Sequence, residues 1–245
     1  MKPVLVTGGA KRLGAAIARE IAGAGWTPVI HYSSSKDEAE ALAGQLGGAA
    51  IGTDLSDTGN VADLVPKAAQ AVGAPLVGLI NNASIFVQDR PESVSADSLD
   101  QHLRVNLISP LLLGRAFAEQ LPEDIGGIIV NLIDQKLWNP HPDFFSYTLS
   151  KAGLKTATDL MAQAFAPKVR VMGVAPGYCL PAPGQAEADF LKKAASVNAL
   201  HQRLAPQQIA QTVRFCLENN ALTGQTIITA NGEHLVPTDG DISLQ

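Results

Sequence analysis

The chain has 245 residues, of which 46% are hydrophobic, 17% charged and 5% aromatic, a balance that excludes disorder and fibrous repeats and supports a core needing neither disulfides nor a structural metal. With 18 Lys and Arg against 23 Asp and Glu, a net charge of -5 and no basic run, no nucleic-acid or membrane partner is expected and the ligand is expected to be small. Cys179 and Cys216 lie in no zinc-like spacing and the opening MKPVLVTGG has no apolar leader, so the expected setting is a reducing cytoplasm.

In chain order, short apolar runs alternate with longer helical patterns. Val4 to Val6 precedes a helix over Leu13 to Ala24, Thr27 to Ile30 precedes Lys36 to Leu46, and Ala49 to Ile51 precedes Asn60 to Val72. Leu76 to Ile80 then leads to a long helix from about Asp97 to Gln120, Gly127 to Ile133 to a helix over Ser146 to Phe165, and Val169 to Val174 and Ile227 to Thr229 complete the strands. Near-continuous apolar strands joined by crossover helices predict an α/β fold, a doubly wound, seven-stranded parallel sheet covered on both faces. No linker or repeat divides residues 1–245, which are read as one domain. The irregular stretch over about 177–206, with a helical pattern at Glu187 to Leu200, reads as a lid over the site.

After the first strand stands Thr7-Gly8-Gly9-Ala10-Lys11-Arg12-Leu13-Gly14. Glycines there let the backbone turn tightly and approach a diphosphate at a helix N-terminus, although a plain Gly-rich turn would look the same. A fold that binds NAD would end its second strand in an acid that accepts from the adenosine ribose. Here the residues are His31-Tyr32-Ser33-Ser34-Ser35-Lys36, with no carboxylate before Asp37. Hydroxyl donors with Lys11 behind them favour NADPH, while the alternative is a polar loop with serine helix caps.

Further along come Asp54-Leu55, Asn81-Asn82-Ala83, Asn106, and Tyr147 with Lys151 one helical turn later. In this order the motifs resemble the short-chain dehydrogenase/reductase family over essentially the whole chain. The resemblance implies a Rossmann-type fold, a homotetramer built on the helices after the fourth and fifth strands, and specific residue roles. Lys151 would bind the nicotinamide ribose and lower the pKa of Tyr147, the proton carrier, and Asn106 would hold a water behind Lys151. Asn81, Asn82 and Ala83 would line the adenosine and ribose side, with Pro176 and Gly177 also at the cofactor. Asp54 and Leu55 would flank adenine, or Asp54 would cap the next helix.

Two departures narrow the substrate. Arg12 replaces the middle glycine of the turn, and thirteen residues ahead of Tyr147, where the family places a serine that polarises a carbonyl, stands Asp134. An ionised carboxylate would repel a developing oxyanion, whereas an Asp with a raised pKa can deliver a proton to a ring nitrogen. Gly-Gly-Ala-Lys-Arg-Leu-Gly, Asn-Asn-Ala-Ser-Ile-Phe, Asp134 and Tyr147-Thr-Leu-Ser-Lys151 together resemble the pteridine reductase and dihydromonapterin (dihydrofolate) reductase branch. That implies an NADPH-dependent reductase of a C=N bond in a pterin or folate. Arg12 and Ser84 would contact cofactor or pterin, Phe86 would stack on the pterin or pack the lid, and Cys179 and Leu180 would touch substrate or serve the loop. The rival readings are a carbonyl reductase, for example of an oxoacyl thioester, and a non-catalytic NADP-binding sensor.

Overall fold

The computed structural model describes residues 1–181, 185–237 and 240–244. Seven strands, β1 (Pro3–Val6), β2 (Thr27–Tyr32), β3 (Ala49–Gly52), β4 (Gly78–Asn81), β5 (Gly127–Leu132), β6 (Val169–Pro176) and β7 (Thr226–Thr229), form one sheet in the order β3-β2-β1-β4-β5-β6-β7. Every pairing is parallel, as the alternation of strands and crossover helices predicts.

The period of two along the strands divides the core. Val4, Val6, Ile80, Ile128, Val130, Met172 and Val174 pack on one face against Ile17 and Ile21 of α1 (Arg12–Gly23) and Ile209, Val213 and Leu217 of α8 (Pro206–Glu218). Leu5, Val29, Leu79, Ile129 and Val171 turn the other way, toward α3 (Leu64–Val72), α5 (Ser109–Gln120) and α6 (Phe145–Phe165). Burying both faces of the sheet removes a large apolar area from water, the main favourable contribution to folding. A further helix, α2 (Lys36–Leu46), covers β2 through Ala39, Leu42 and Ala43. None of the helices among the described residues is long and apolar enough to cross a membrane.

Four elements differ from the sequence expectation. The helix expected from Asn60 opens instead as a 3-10 turn at Val61–Asp63 before α3 begins. The long helix after β4 is three pieces, α4 (Ala96–Leu103), a π-helical turn at Arg104–Ile108 and α5. Such turns admit one extra residue and recur where a helix must aim a side chain, and here that side chain is Asn106. The expected lid contains α7 (Glu187–Ser196), shorter than the sequence pattern, and part of it, residues 182–184, lies outside the described residues. Helix α8 had no counterpart in the sequence expectation.

Strand order reverses direction between β1 and β4, so the loops at their carboxyl ends part and leave a crevice, the place where open α/β sheets bind ligands.

Candidate active site

The crevice is a cavity of about 600 Å³. Its first wall is the turn from β1 into α1. Gly8 has φ +60, and a Cβ there would press on Ala83 at 3.1 Å. At Gly14 a Cβ would run into the Gly8 carbonyl oxygen, so only glycine lets the helix start this close to the strand. No side chain caps α1 and its first turn holds no acid. The leading N–H groups of that helix and its positive dipole end therefore favour an anion.

Three residues brace the turn from behind. His31 is fully buried, with Nδ1 accepting the Gly8 N–H at 3.1 Å and Nε2 facing the Thr53 carbonyl at 2.9 Å. Burial lowers its pKa against the opposing effect of the Thr53 bond, so the ring is neutral and Nε2 carries the proton that Thr53 accepts. The Thr7 hydroxyl accepts from the backbone N–H groups of Asn82 and Ala83 at 2.9 and 3.0 Å. Asn82 Nδ2 donates to the Thr7 and Gly8 carbonyls at 2.9 and 3.2 Å.

The opposite wall comes from β5 and α6. Tyr147 donates its O–H to Asp134 Oδ2 at 2.6 Å, while Oδ1 accepts the Lys136 N–H at 2.8 Å. Lys151 is buried, donates to the Leu132 carbonyl at 2.7 Å, and lies 5.7 Å from the centre of the Tyr147 ring. Asp89 fixes the start of α6 by accepting from Ser146 N at 3.0 Å and Ser146 Oγ at 2.5 Å. Above the pair, Phe86 stacks on Phe144 with centroids 3.9 Å apart and meets Tyr147 edge-on at 4.7 Å.

The electrostatics follow from burial. Desolvation raises the Asp134 pKa although Tyr147, the Lys136 N–H and the two lysine charges all oppose it. Desolvation lowers Lys151 to about 8, with Asp134 holding it from falling further. Tyr147 is pushed well up, by burial first and then by the Asp134 charge and hydrogen bond. This corrects the sequence expectation of a Tyr147 pKa depressed by Lys151: burial, with Asp134 beside the hydroxyl, sets the opposite direction.

Of the residues singled out in the sequence, Gly8, Lys11, Arg12, Leu13, Gly14, Asn82, Ala83, Ser84, Phe86, Asp134, Tyr147, Lys151, Pro176, Gly177, Cys179 and Leu180 all line the cavity. Arg12 reaches across its mouth to the Pro181 carbonyl at 2.6 Å. Others do not line it. His31 has both ring nitrogens occupied beneath the turn and braces it instead of facing a ligand. Asn81 is buried in a chain in which it donates to Asn131 at 2.8 Å and Asn131 to Thr158 at 2.9 Å, joining β4 and β5 to α6. Leu55 has its side chain in the core, which leaves its main chain to face a ligand. Asp54 is exposed and accepts from Ser56 N and Oγ, both at 2.8 Å, which lowers its pKa and makes it a turn former, not a helix cap. The side-chain amide of Asn106 is bonded to both main-chain polar groups of Ile85 at 2.9 and 3.0 Å and to Ser150 at 3.0 Å. A water held there would have to use its main chain.

Tyr32, Ser33 and Ser34 stand at the carboxyl end of β2 outside the cavity, the serines exposed. The expectation of an acid-free edge there needs amending, because Glu38 folds back to pair with Lys11 at 2.6 Å. Both side chains are about half exposed (53% and 51%), so a ligand phosphate can compete for Lys11.

Gln135, Lys136, Tyr178, Phe190, Glu233, Asp241 and Ile242 also line the cavity and were not foreseen. Gln135 and Lys136 adjoin Asp134 in sequence, which was a usable signal, whereas nothing in the local sequence marks Glu233 or Asp241.

Residues 2–190 match a family model described as short chain dehydrogenase. The chain is 40% identical to a FolM alternative dihydrofolate reductase 1 from Brucella suis solved in complex with NADP, with TM-score 0.91 and 96% of each chain covered. It is 25% identical to the dihydromonapterin reductase of Enterobacter sp. strain 638, covering 96% of this chain and 97% of that one. A 3beta-hydroxysteroid dehydrogenase 1 from Eggerthella lenta is 30% identical, covering 96% of this chain and 95% of that one.

Proposed function

The chain belongs to the short-chain dehydrogenase family of oxidoreductases, and on that footing we propose that it is an NADPH-dependent reductase that transfers hydride to a C=N bond of a pterin or folate. The glycine turn, the uncapped start of α1 and the half-exposed Lys11 fit a phosphorylated dinucleotide. Ser33 and Ser34 would meet its 2'-phosphate, Asn82 and Ala83 the ribose side, and Lys151, Pro176 and Gly177 the nicotinamide end. Bound there, NADPH supplies the hydride. The Brucella suis and Enterobacter relatives support both the cofactor and the substrate class.

The observation that carries the reading is the contact between Asp134 Oδ2 and the Tyr147 hydroxyl at 2.6 Å. Reduction of C=N adds hydride at carbon and a proton at nitrogen. Burial raises the pKa of both the Asp134 carboxyl and the Tyr147 phenol, and the hydrogen bond they share lets the pair relay a proton to the ring nitrogen. A carbonyl substrate would instead call for a hydroxyl at position 134, the serine of the family pattern, to stabilise the oxygen as charge develops there. Phe86 and Phe144 offer an aromatic face for a flat ring, Arg12, Ser84 and Leu180 its edges, and residues 177–206 the lid. Residues 1–245 work in this reading as one reductase domain in the cytoplasm. Exposed Ile108, Leu149 and Leu160, on the helical stretches after β4 and β5, support assembly as a homotetramer.

The test is NADPH oxidation with a dihydropterin and with simple ketones. Asp134→Ala should lose most dihydropterin turnover, about 10²-fold or more, while still binding NADPH. Asp134→Ser should not restore it but should favour ketones. Full dihydropterin activity in Asp134→Ala would remove the proton-delivery role and with it the preference for C=N.

A further inference from the structure

Glu233 sits in a 3-10 turn, Glu233–Leu235, that follows β7, and it is 5% exposed. It lines the same cavity as Asp134, Tyr147 and Phe86. Its Oε2 accepts the Tyr178 N–H at 3.0 Å and its Oε1 accepts the Gln135 side-chain amide. The approach is so close that a Cβ on Gly177 would collide with the carboxylate. Among the described residues, both of these hydrogen-bond partners are neutral donors. The titratable groups that face it, Asp134, Asp241, Tyr178 and Cys179, supply no positive charge. Beside it, Gln135 Oε1 is buried without a hydrogen-bond partner among the described residues. The base of the cavity therefore holds a buried carboxyl met only by neutral donors and, beside it, an amide oxygen met by none among the described residues, and buried acceptors are costly unless further donors reach them.

We propose that Glu233, flanked by Gln135, is the specificity-determining acceptor of the substrate site, taking the N–H donors of an amino-substituted nitrogen heterocycle. The inference rests on the reductase reading above and gives its substrate an N–H-rich edge. A carboxylate accepts two adjacent N–H groups well, whereas an oxoacyl chain or a steroid ring would bury the same carboxylate against carbon. Burial, with Asp134 and Asp241 nearby, raises Glu233 to about 8. Glu233 is thus largely protonated at pH 7, and a donor-rich ligand that binds the ionised form draws that proton off.

The experiment compares KM and kcat for 7,8-dihydropterin and for its counterpart lacking the 2-amino group, in the wild type and in Glu233→Gln. The glutamine can keep the bond to Tyr178 and, if the Gln135 amide turns over, a bond to Gln135, so the charge alone is removed. In the wild type KM should be about ten- to a hundredfold lower for the amino compound, and lower still as pH rises through about 8. In Glu233→Gln the gap should close through KM, the pH slope of KM should vanish, and NADPH affinity should hold. If the wild type reduces both compounds with equal KM, or Glu233→Gln keeps the gap, Glu233 is a brace for Tyr178 and the proposal is wrong while the C=N reductase reading stands. Weaker NADPH binding in the variant would assign the acceptor to the cofactor and equally overturn it. Reduction of neither compound by the wild type would sink the reductase reading and this inference together. The wild-type comparison decides the matter even if the variant does not fold.

Discussion

Tyr147 and Asp134 form one titrating unit, since across 2.6 Å Asp134 raises the pKa of Tyr147 while the Tyr147 O–H lowers that of Asp134 against the effect of burial. Their protons come off in steps that belong to the pair. Tyr147→Phe keeps the ring that Phe86 and Phe144 pack around but removes the hydroxyl. Turnover should fall about 10²-fold with melting little changed, and the pH profile should simplify, because Asp134 loses the bond that lowers its pKa and titrates higher. Wild-type turnover from this variant would revive the reading of a non-catalytic NADP-binding protein. Tyr147, Lys151 and Asp134 are legible in the sequence because the order and spacing of the motifs resemble the family's pattern. The sequence could not rank the charges acting on Tyr147, since desolvation depends on what the fold stacks over the ring.

Among the elements, the glycine turn shows what a motif leaves unsaid. Its glycines are readable, but its rigidity comes from His31 at the end of β2, Thr7 and Asn82, each bonded to main-chain atoms within the turn or just beyond β4. The polar residue after a strand looks like a ligand contact in sequence, and for His31 it is a buttress. His31→Phe would leave the Gly8 N–H and the Thr53 carbonyl without their partner, a loss of about 1–3 kcal/mol for each group left unpaired. NADPH affinity should weaken along with thermal stability, both measurable by titration and by melting. Unchanged affinity would show the turn to be held without His31. Helix α8 went unread although its signals were present. Pro206 occupies its first turn, Gln208 bonds back to the Ala205 N–H at 2.8 Å, and Ile209, Val213, Cys216 and Leu217 make one apolar stripe. The irregular stretch ahead of it was read as lid up to residue 206, which obscured the start of a regular helix.

For the whole molecule, two buried groups set opposite slopes of stability against pH. Burial lowers Lys151 from 10.5 to about 8. Between those values the unfolded chain holds a proton that the native site does not, so stability rises with pH and the contribution is lost as pH falls through 8. Burial raises Glu233 from 4.5 to about 8. Over that interval the native protein holds the extra proton, so stability present below 4.5 is lost as pH rises. Together they place a minimum in their combined contribution to stability near pH 8. Melting curves from pH 5 to 8 should show a downward slope that Glu233→Gln flattens, and a slope unaltered by that substitution would remove Glu233 as its source. The doubly wound, seven-stranded parallel sheet could be read in advance from the alternation of apolar strands with crossover helices. The convergence of Asp134, Glu233 and Asp241 could not, because they are brought together from separate parts of the chain.

Arg12 keeps φ at +51 while starting α1 and holding the Pro181 carbonyl. For a residue with a Cβ that backbone costs about 1–2 kcal/mol relative to glycine. A search for heat-tolerant variants would therefore be drawn to Arg12→Gly, which relaxes the backbone and at the same stroke deletes the cation that spans the mouth of the cavity. Position 12 is where durability and use pull against each other in this chain, and the residue found there has settled the contest in favour of use.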